Sequence, residues 1–193
     1  NSDDFKFNVL SAPGILDQHH NTVVSAFIDL CESRGDAIFV TDLRAHGATV
    51  SQITGQADTL NSSYAATYWP WLQTQSATGK NVWIPASTVI PGVYAFTDGA
   101  AAPWFAPAGF SRGALAGVSE VKTKLNEDNI QDLNNAKVNP IQTFPNTGPV
   151  VFGQRTLQQA ASALDRVNVR RLLIDIRRSV RQAANQILFE PNR

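Results

Sequence analysis

The sequence predicts an α/β fold: a mixed sheet with parallel pairing in its first half, flanked by helices and ending in a long amphipathic helix faced with arginines. Three observations carry that expectation. Strand-like and helix-like segments alternate through the first half, the order of a parallel sheet. Ala37-Ile38-Phe39-Val40 is apolar without polar alternation, as in a strand covered on both faces. Residues 169–187 repeat apolar side chains at helical spacing, with arginines opposite them. At 193 residues, 43% apolar and 17% charged, the chain is long enough for a full core and is read as one domain over 1–193.

Phe5-Lys6-Phe7-Asn8-Val9-Leu10 alternates at period two and reads as a strand ended by Ser11-Ala12-Pro13-Gly14. Asn21 or Thr22 is placed to cap a helix through Arg34, with Val23, Val24, Phe27, Ile28, Leu30 and Cys31 near one face. Gly35 supplies its stop. After the 37–40 strand, residues 47–60 read as a helix weakened by Gly55. Two strands are expected near 64–72 and 80–85, separated by a polar turn at Gly79. Ser87 caps a helix over 88–98 with Pro91 in its first turn. Residues 100–118, rich in Ala, Gly and Pro, read as extended or loop. A helix at 126–136, a strand at 138–144, a strand at Val150-Val151-Phe152 and a short helical segment from Thr156 follow.

The final helix is the clearest element. Val169, Leu172, Leu173, Ile176, Val180, Ala183, Ala184 and Ile187 fall on one side, and Arg170, Arg171, Arg177, Arg178 and Arg181 on the other, with Asn168 as N-cap. The arginine side reads either as a solvated face or as a docking rail for an acidic partner. Net charge is zero but uneven. Residues 1–60 hold eight acids against three bases, and residues 150–193 hold eight arginines against three acids. Such asymmetry either cancels within one fold or meets complementary copies of the same chain.

No run approaches the length of uninterrupted apolar residues that a membrane helix needs, and no basic start precedes an apolar stretch. The single cysteine, Cys31, sits on the apolar side of a helix, where an inert core thiol is expected. With no methionine and Asn1 at its start, the chain is expected to be a piece of a longer polypeptide. Gly109-Phe110-Ser111-Arg112-Gly113 matches the nucleophile-elbow pattern G-x-S-x-G, the one motif that points to a serine hydrolase. Pro103 and Pro107 interrupt the strand such an elbow needs, and His19, His20 and His46 all precede Ser111, the wrong order for that fold. His19-His20 lacks the spacing of a zinc helix and reads as a polar turn. Neither a phosphate loop nor a dinucleotide fingerprint is present, and no cofactor or metal is expected. A neutral chain with one basic helix is also a weak candidate for nucleic acid.

From Tyr64 to Phe110 the chain carries only two charges, Lys80 and Asp98, against about eight expected at the chain-wide fraction. All four tryptophans (Trp69, Trp71, Trp83, Trp104), all three tyrosines and five prolines lie there. So much aromatic surface calls for burial, in the chain's own core or against other subunits. Most of it, including the four tryptophans, is expected to form the structural core, with a part near Ala100–Gly113 open to an interface.

The same window carries a family resemblance. Ser62-Ser63-Tyr64-Ala65-Ala66-Thr67-Tyr68-Trp69-Pro70-Trp71, Val82-Trp83-Ile84-Pro85-Ala86-Ser87, Ile90-Pro91-Gly92-Val93-Tyr94-Ala95 and Ala102-Pro103-Trp104-Phe105-Ala106-Pro107-Ala108-Gly109 resemble the tail sheath proteins of contractile-tailed bacteriophages. Arg34-Gly35-Asp36, Asn139-Pro140-Ile141 and Asn168-Val169-Arg170-Arg171-Leu172 fit the same pattern, so the likeness covers about 30–190. It implies a structural, non-enzymatic subunit that stacks as rings around an inner tube in the virion, contracts on a baseplate signal and drives the tube into the host. It also implies tail tube, baseplate and tail terminator proteins as partners, and assembly in the host cytoplasm. A sheath from a related injection device, bacteriocin or secretion type, is the alternative. Terminal arms that pair into neighbouring subunits and outer domains are expected outside this chain, which ends at Glu190-Pro191-Asn192-Arg193. Given such a sheath, Arg170, Arg171, Arg177, Arg178 and Arg181 are expected to face the tube or a neighbour. Asp29, Glu32, Asp36, Asp42 and Asp58 are expected as the acidic complement on an adjacent subunit.

Overall fold

A computed structural model of the chain describes residues 6–187. Phe5 of the first expected strand, the Ile187 side chain and residues 190–193 lie outside what is described.

The first strand does not stop at Ser11. β1 (Val9–Leu16) runs on through Pro13 and Gly14 and pairs in parallel with β2 (Ile38–Asp42), the register shifting between Ser11 and Leu16. An edge position permits this, because a proline there withholds no hydrogen bond from an outer neighbour and Gly14 takes φ +90 where the register shifts. α1 (Asp17–Arg34) begins before Asn21, so His19-His20 lies in its first turns rather than in a loop, beside a kink at His20. Buried Asp17 organises this start by accepting from Asn21 Nδ2 at 3.0 Å and from Gln56 Nε2. Gly35 ends α1 at φ 66, its N–H donating to the Cys31 carbonyl at 2.8 Å. α2 (Val50–Ala57) is shorter than the expected 47–60 because Thr49 sets its start through a capping box with Gln52.

The expected strand over 64–72 is two strands in different sheets. β3 (Ala65–Trp69) stops at Pro70, and β4 (Leu72–Gln75) turns back at Gly79 to pair with β5 (Asn81–Ile84). Ser87 is not the cap of α3 (Ile90–Ala100). It sits in a 3-10 turn over Ala86–Thr88 and donates both its N–H (3.1 Å) and its Oγ–H (2.5 Å) to the Asp42 carboxylate. β6 (Val118–Val121) closes the small sheet against β4 at the end of the stretch read as loop. α4 (Glu127–Asn135), capped by Asn126, and β7 (Val138–Phe144) follow as expected, and β8 (Gly148–Val151) folds back on β7. No helix starts at Thr156. Its N–H and Oγ1 instead donate to the Asp165 and Leu164 carbonyls, pinning the loop before α5 (Val167–Ile187).

The main sheet has the order β1-β2-β3-β7-β8, with the first four strands parallel and β8 antiparallel; the smaller sheet is β5-β4-β6. Alternate side chains of the main sheet feed two cores. Phe39, Ala65, Trp69 and Val138 meet α1, α2 and α4 through Val24, Ile28, Cys31, Ile53 and Leu133. On the other face Ile38, Val40, Ala66, Tyr68 and Ile141 meet the small sheet, α3 and the start of α5 through Leu72, Ile90, Tyr94, Val167 and Ile174. The mixed α/β architecture, with parallel pairing first and an arginine-bearing helix last, is the one the sequence predicts.

Candidate assembly surface

Local packing turns α5 around relative to the sequence reading. Val167, Arg170, Arg171 and Ile174 are its buried positions. Arg171 is 3% exposed; its Nη2 lies 2.7 Å from both Asp98 carboxylate oxygens and its guanidinium stacks over the Tyr94 ring at 4.5 Å. The Tyr94 hydroxyl in turn shares a 2.7 Å hydrogen bond with the Tyr68 hydroxyl. Arg170, 7% exposed, stacks over Tyr64 at 3.9 Å and donates to Ser63. Burial pulls its guanidinium below the usual arginine value. These two arginines are buried against the body and engage Ser63, Tyr64, Tyr94 and Asp98 of the chain itself, where the sequence reading places them on an outward face. Their long apolar stems and planar heads suit an aromatic-lined seat, which periodicity by itself does not reveal.

The side of α5 away from the body is therefore the apolar one. Leu173, Ile176 and Val180 are 41%, 46% and 61% exposed, and every residue from Ile176 to Gln186 is exposed. Arg177, Arg178 and Arg181 lie on the body-facing side of that overhanging half. With Lys6, Phe7, Arg34, Asp36, Gln182 and Asn185 they line a groove of about 390 Å³. Arg177 rests on Gly35, where a Cβ would overlap its guanidinium. Among the described residues no carboxylate pairs with Arg177, Arg178 or Arg181.

The expected acidic complement is not one patch. Asp42 is 4% exposed and spends its carboxylate on Ser87; burial lifts it to about 6 against the hydrogen bonds that oppose the rise. Asp36 pairs with Arg34 at 2.9 Å. Glu32 accepts from Ser62 Oγ at 2.6 Å, and Asp29 and Asp58 are open to solvent. Of the four tryptophans only Trp69 is fully buried. Trp71, donating to the Arg44 carbonyl at 2.9 Å, and Trp83, under the Lys122 ammonium at 4.9 Å, are half-buried. Trp104 is 47% exposed beside exposed Phe105, in a loop whose Trp104 carbonyl accepts from Asn168 Nδ2 at the start of α5. Gly109–Gly113 is a turn pinned to Val151, with Ser111 exposed and no strand running into it.

Three groups escaped the sequence reading. Asp98 and the Tyr68–Tyr94 pair seat Arg171; the signal for Asp98 was that it is the lone acid of the charge-poor window, one helical turn from Tyr94. Asn139, fully buried, donates to the Thr67 and Arg155 carbonyls at 2.9 and 2.8 Å and accepts from the Arg155 N–H. The third is the acidic character of α4, where Asp132 shares a cleft with Asp58 of the α2 end and Glu127 and Asp128 are exposed in the first turn.

Comparison with known proteins decides what this fold is. The sequence profile of the phage tail sheath protein central domain matches residues 1–157. The chain belongs to the phage tail sheath family. This sheath chain is 39% identical to the tail sheath protein of Vibrio phage KVP40 over 113 residues, 58% of the chain and 17% of that protein. It is 30% identical to the tail sheath protein of Salmonella phage ViI over 176 residues, 86% of the chain and 28% of that protein. Among solved structures, the sheath of an extracellular contractile injection system in its contracted state superposes with a TM-score of 0.79 at 30% identity, covering 99% of this chain and 51% of that one. The contracted helical sheath of the anti-feeding prophage gives a TM-score of 0.76 at 28% identity, covering 97% and 49%. The sheath chain thus spans about half the length of these solved sheaths and less than a third of the curated relatives.

Proposed function

We propose that this chain is the core of a structural subunit that polymerises as stacked rings around an inner tail tube and contracts to drive that tube through the host envelope. The observation that carries the reading is a likeness to contracted sheath subunits extending over 99% of the chain. Energy for the stroke is held in subunit packing, without catalytic turnover. Two cores on either side of one sheet suit a body that moves as a rigid block. The overhanging half of α5 suits an assembly surface, because Leu173, Ile176 and Val180 expose an apolar stripe that an isolated globule would bury. Partners on this reading are copies of the same chain, the tail tube, the baseplate and the tail terminator. The site is the virion tail, assembled in the host cytoplasm.

The test is negative-stain microscopy of the full-length protein that carries this chain. Tubes or striated polymers are expected; a protein that stays monomeric at high concentration overturns the reading. Ile176→Glu with Val180→Glu, both at exposed positions, is expected to prevent polymer formation without lowering thermal stability. A second reading, the sheath of an injection device, is favoured by the same injection-system likeness. Capsid and portal genes beside the gene support the phage; toxin genes in their place support the device.

A further inference from the structure

We infer that the arginine groove under α5 receives the acidic α4 face of a second copy of this chain, a head-to-tail contact that rests on the sheath reading above. The groove holds Lys6, Arg177, Arg178 and Arg181, while Arg34 and Asp36, on its wall, neutralise each other. Three guanidinium groups that pair with no carboxylate among the described residues stand beside one another, repel and call for an anionic occupant. The chain itself offers one. α4 and the end of α2 expose Asp58, Glu127, Asp128 and Asp132, and neither helix contains a basic residue. Asp58 and Asp132 line an open cleft of about 560 Å³ between the two helices, and none of the four acids is in an ion pair among the described residues.

The two patches do not meet within the molecule: no ion pair joins them among the described residues. Asp58 and Asp132 line the cleft between α2 and α4, whereas the groove is walled by Lys6, Phe7, the end of α1 and the overhanging half of α5, and the two linings share no residue. Unlike patches at separate places on a subunit make a heterologous contact, which builds rings or open helical arrays rather than a two-fold dimer. Arginine on one side and carboxylate on the other give paired hydrogen-bond geometry, and the exposed setting leaves the contact reversible. The matching of charge also favours the correct partner face over like-charged alternatives.

Reciprocal charge reversal in the full-length protein tests this. One variant carries Arg177→Glu, Arg178→Glu and Arg181→Glu, making both of its faces acidic. The other carries Glu127→Lys, Asp128→Lys and Asp132→Lys, making both basic. Neither is expected to polymerise alone, with at least a tenfold loss of sedimentable polymer, and an equimolar mixture is expected to restore polymer in which the two alternate. A mixture that fails while both variants keep the parent circular dichroism and melting temperature overturns the inference, and leaves the arginines to an acidic partner of another kind. Variants that polymerise alone as the parent does overturn it too, with the sheath reading intact. A parent that forms no polymer overturns the sheath reading, and this contact with it. As a measurement independent of charge, Arg181→Cys and Asp132→Cys chains mixed during assembly are expected to give a disulfide-linked dimer. Its absence in parent-like polymers counts against the contact.

Discussion

Replacing Arg171 by methionine removes the ion that seats α5 while keeping most of its aliphatic length. The guanidinium is 3% exposed, 2.7 Å from both Asp98 oxygens and 4.5 Å above the Tyr94 ring. Breaking one side of a buried pair costs about 3–5 kcal/mol, since the remaining charge loses its counterion. Asp98 is 28% exposed and recovers some hydration, which places the cost near the lower end, about 3 kcal/mol. For a domain of this size that is a fall in melting temperature of about 6–12 °C. Calorimetry of the single variants R171M and D98A and of the double variant measures it. D98A is expected to cost at least as much, because it strands the more buried charge, and the double variant less than the two singles together. R171M melting within about 1 °C of the parent refutes the idea that this pair anchors the helix.

Other expectations follow from the same geometry. Asp42 titrates at about 6 in the fold, above its ordinary range, so the fold holds its proton more tightly than the unfolded chain does. The stability this confers is full below about pH 4 and is lost as pH rises through 6; denaturant titrations of Asp42→Asn should lack that fall. Trp69→Ala is expected to cost about 3–5 kcal/mol and Trp104→Ala less than about 1.5, a contrast that equal losses in chemical denaturation would contradict. Gly35→Ala is expected to cost about 1–2 kcal/mol, because the position sits at φ 66 and an added Cβ displaces Arg177; an unchanged denaturation midpoint contradicts this.

Much of the architecture was legible because strand and helix period, caps and turn residues act over a few neighbours. Gly35 after α1, the helix expected over 126–136 and the 138–144 strand are local signals that tertiary packing left alone. The misreadings share a different cause. Ser87 has a capping residue's chemistry, yet a carboxylate distant in sequence, Asp42, claims its donors. Pro13 and Gly14 read as strand breakers, yet an edge strand tolerates both. Trp104 reads as core by type, but its loop lies against the start of α5, tied to Asn168, and leaves the ring exposed.

The sequence by itself determined the fold class and, through its aromatic and proline motifs, the family. Both rest on residue types and spacings that need no knowledge of what lies across the fold. Only the tertiary structure decided which way α5 faces. Hydrophobicity would turn its leucine and isoleucine stripe inward, but Tyr64, Tyr94 and Asp98 offer two arginines aromatic faces and a counter-charge, and that seat sets the orientation. The apolar stripe is thereby left exposed, and the remaining arginines line the groove beneath the helix.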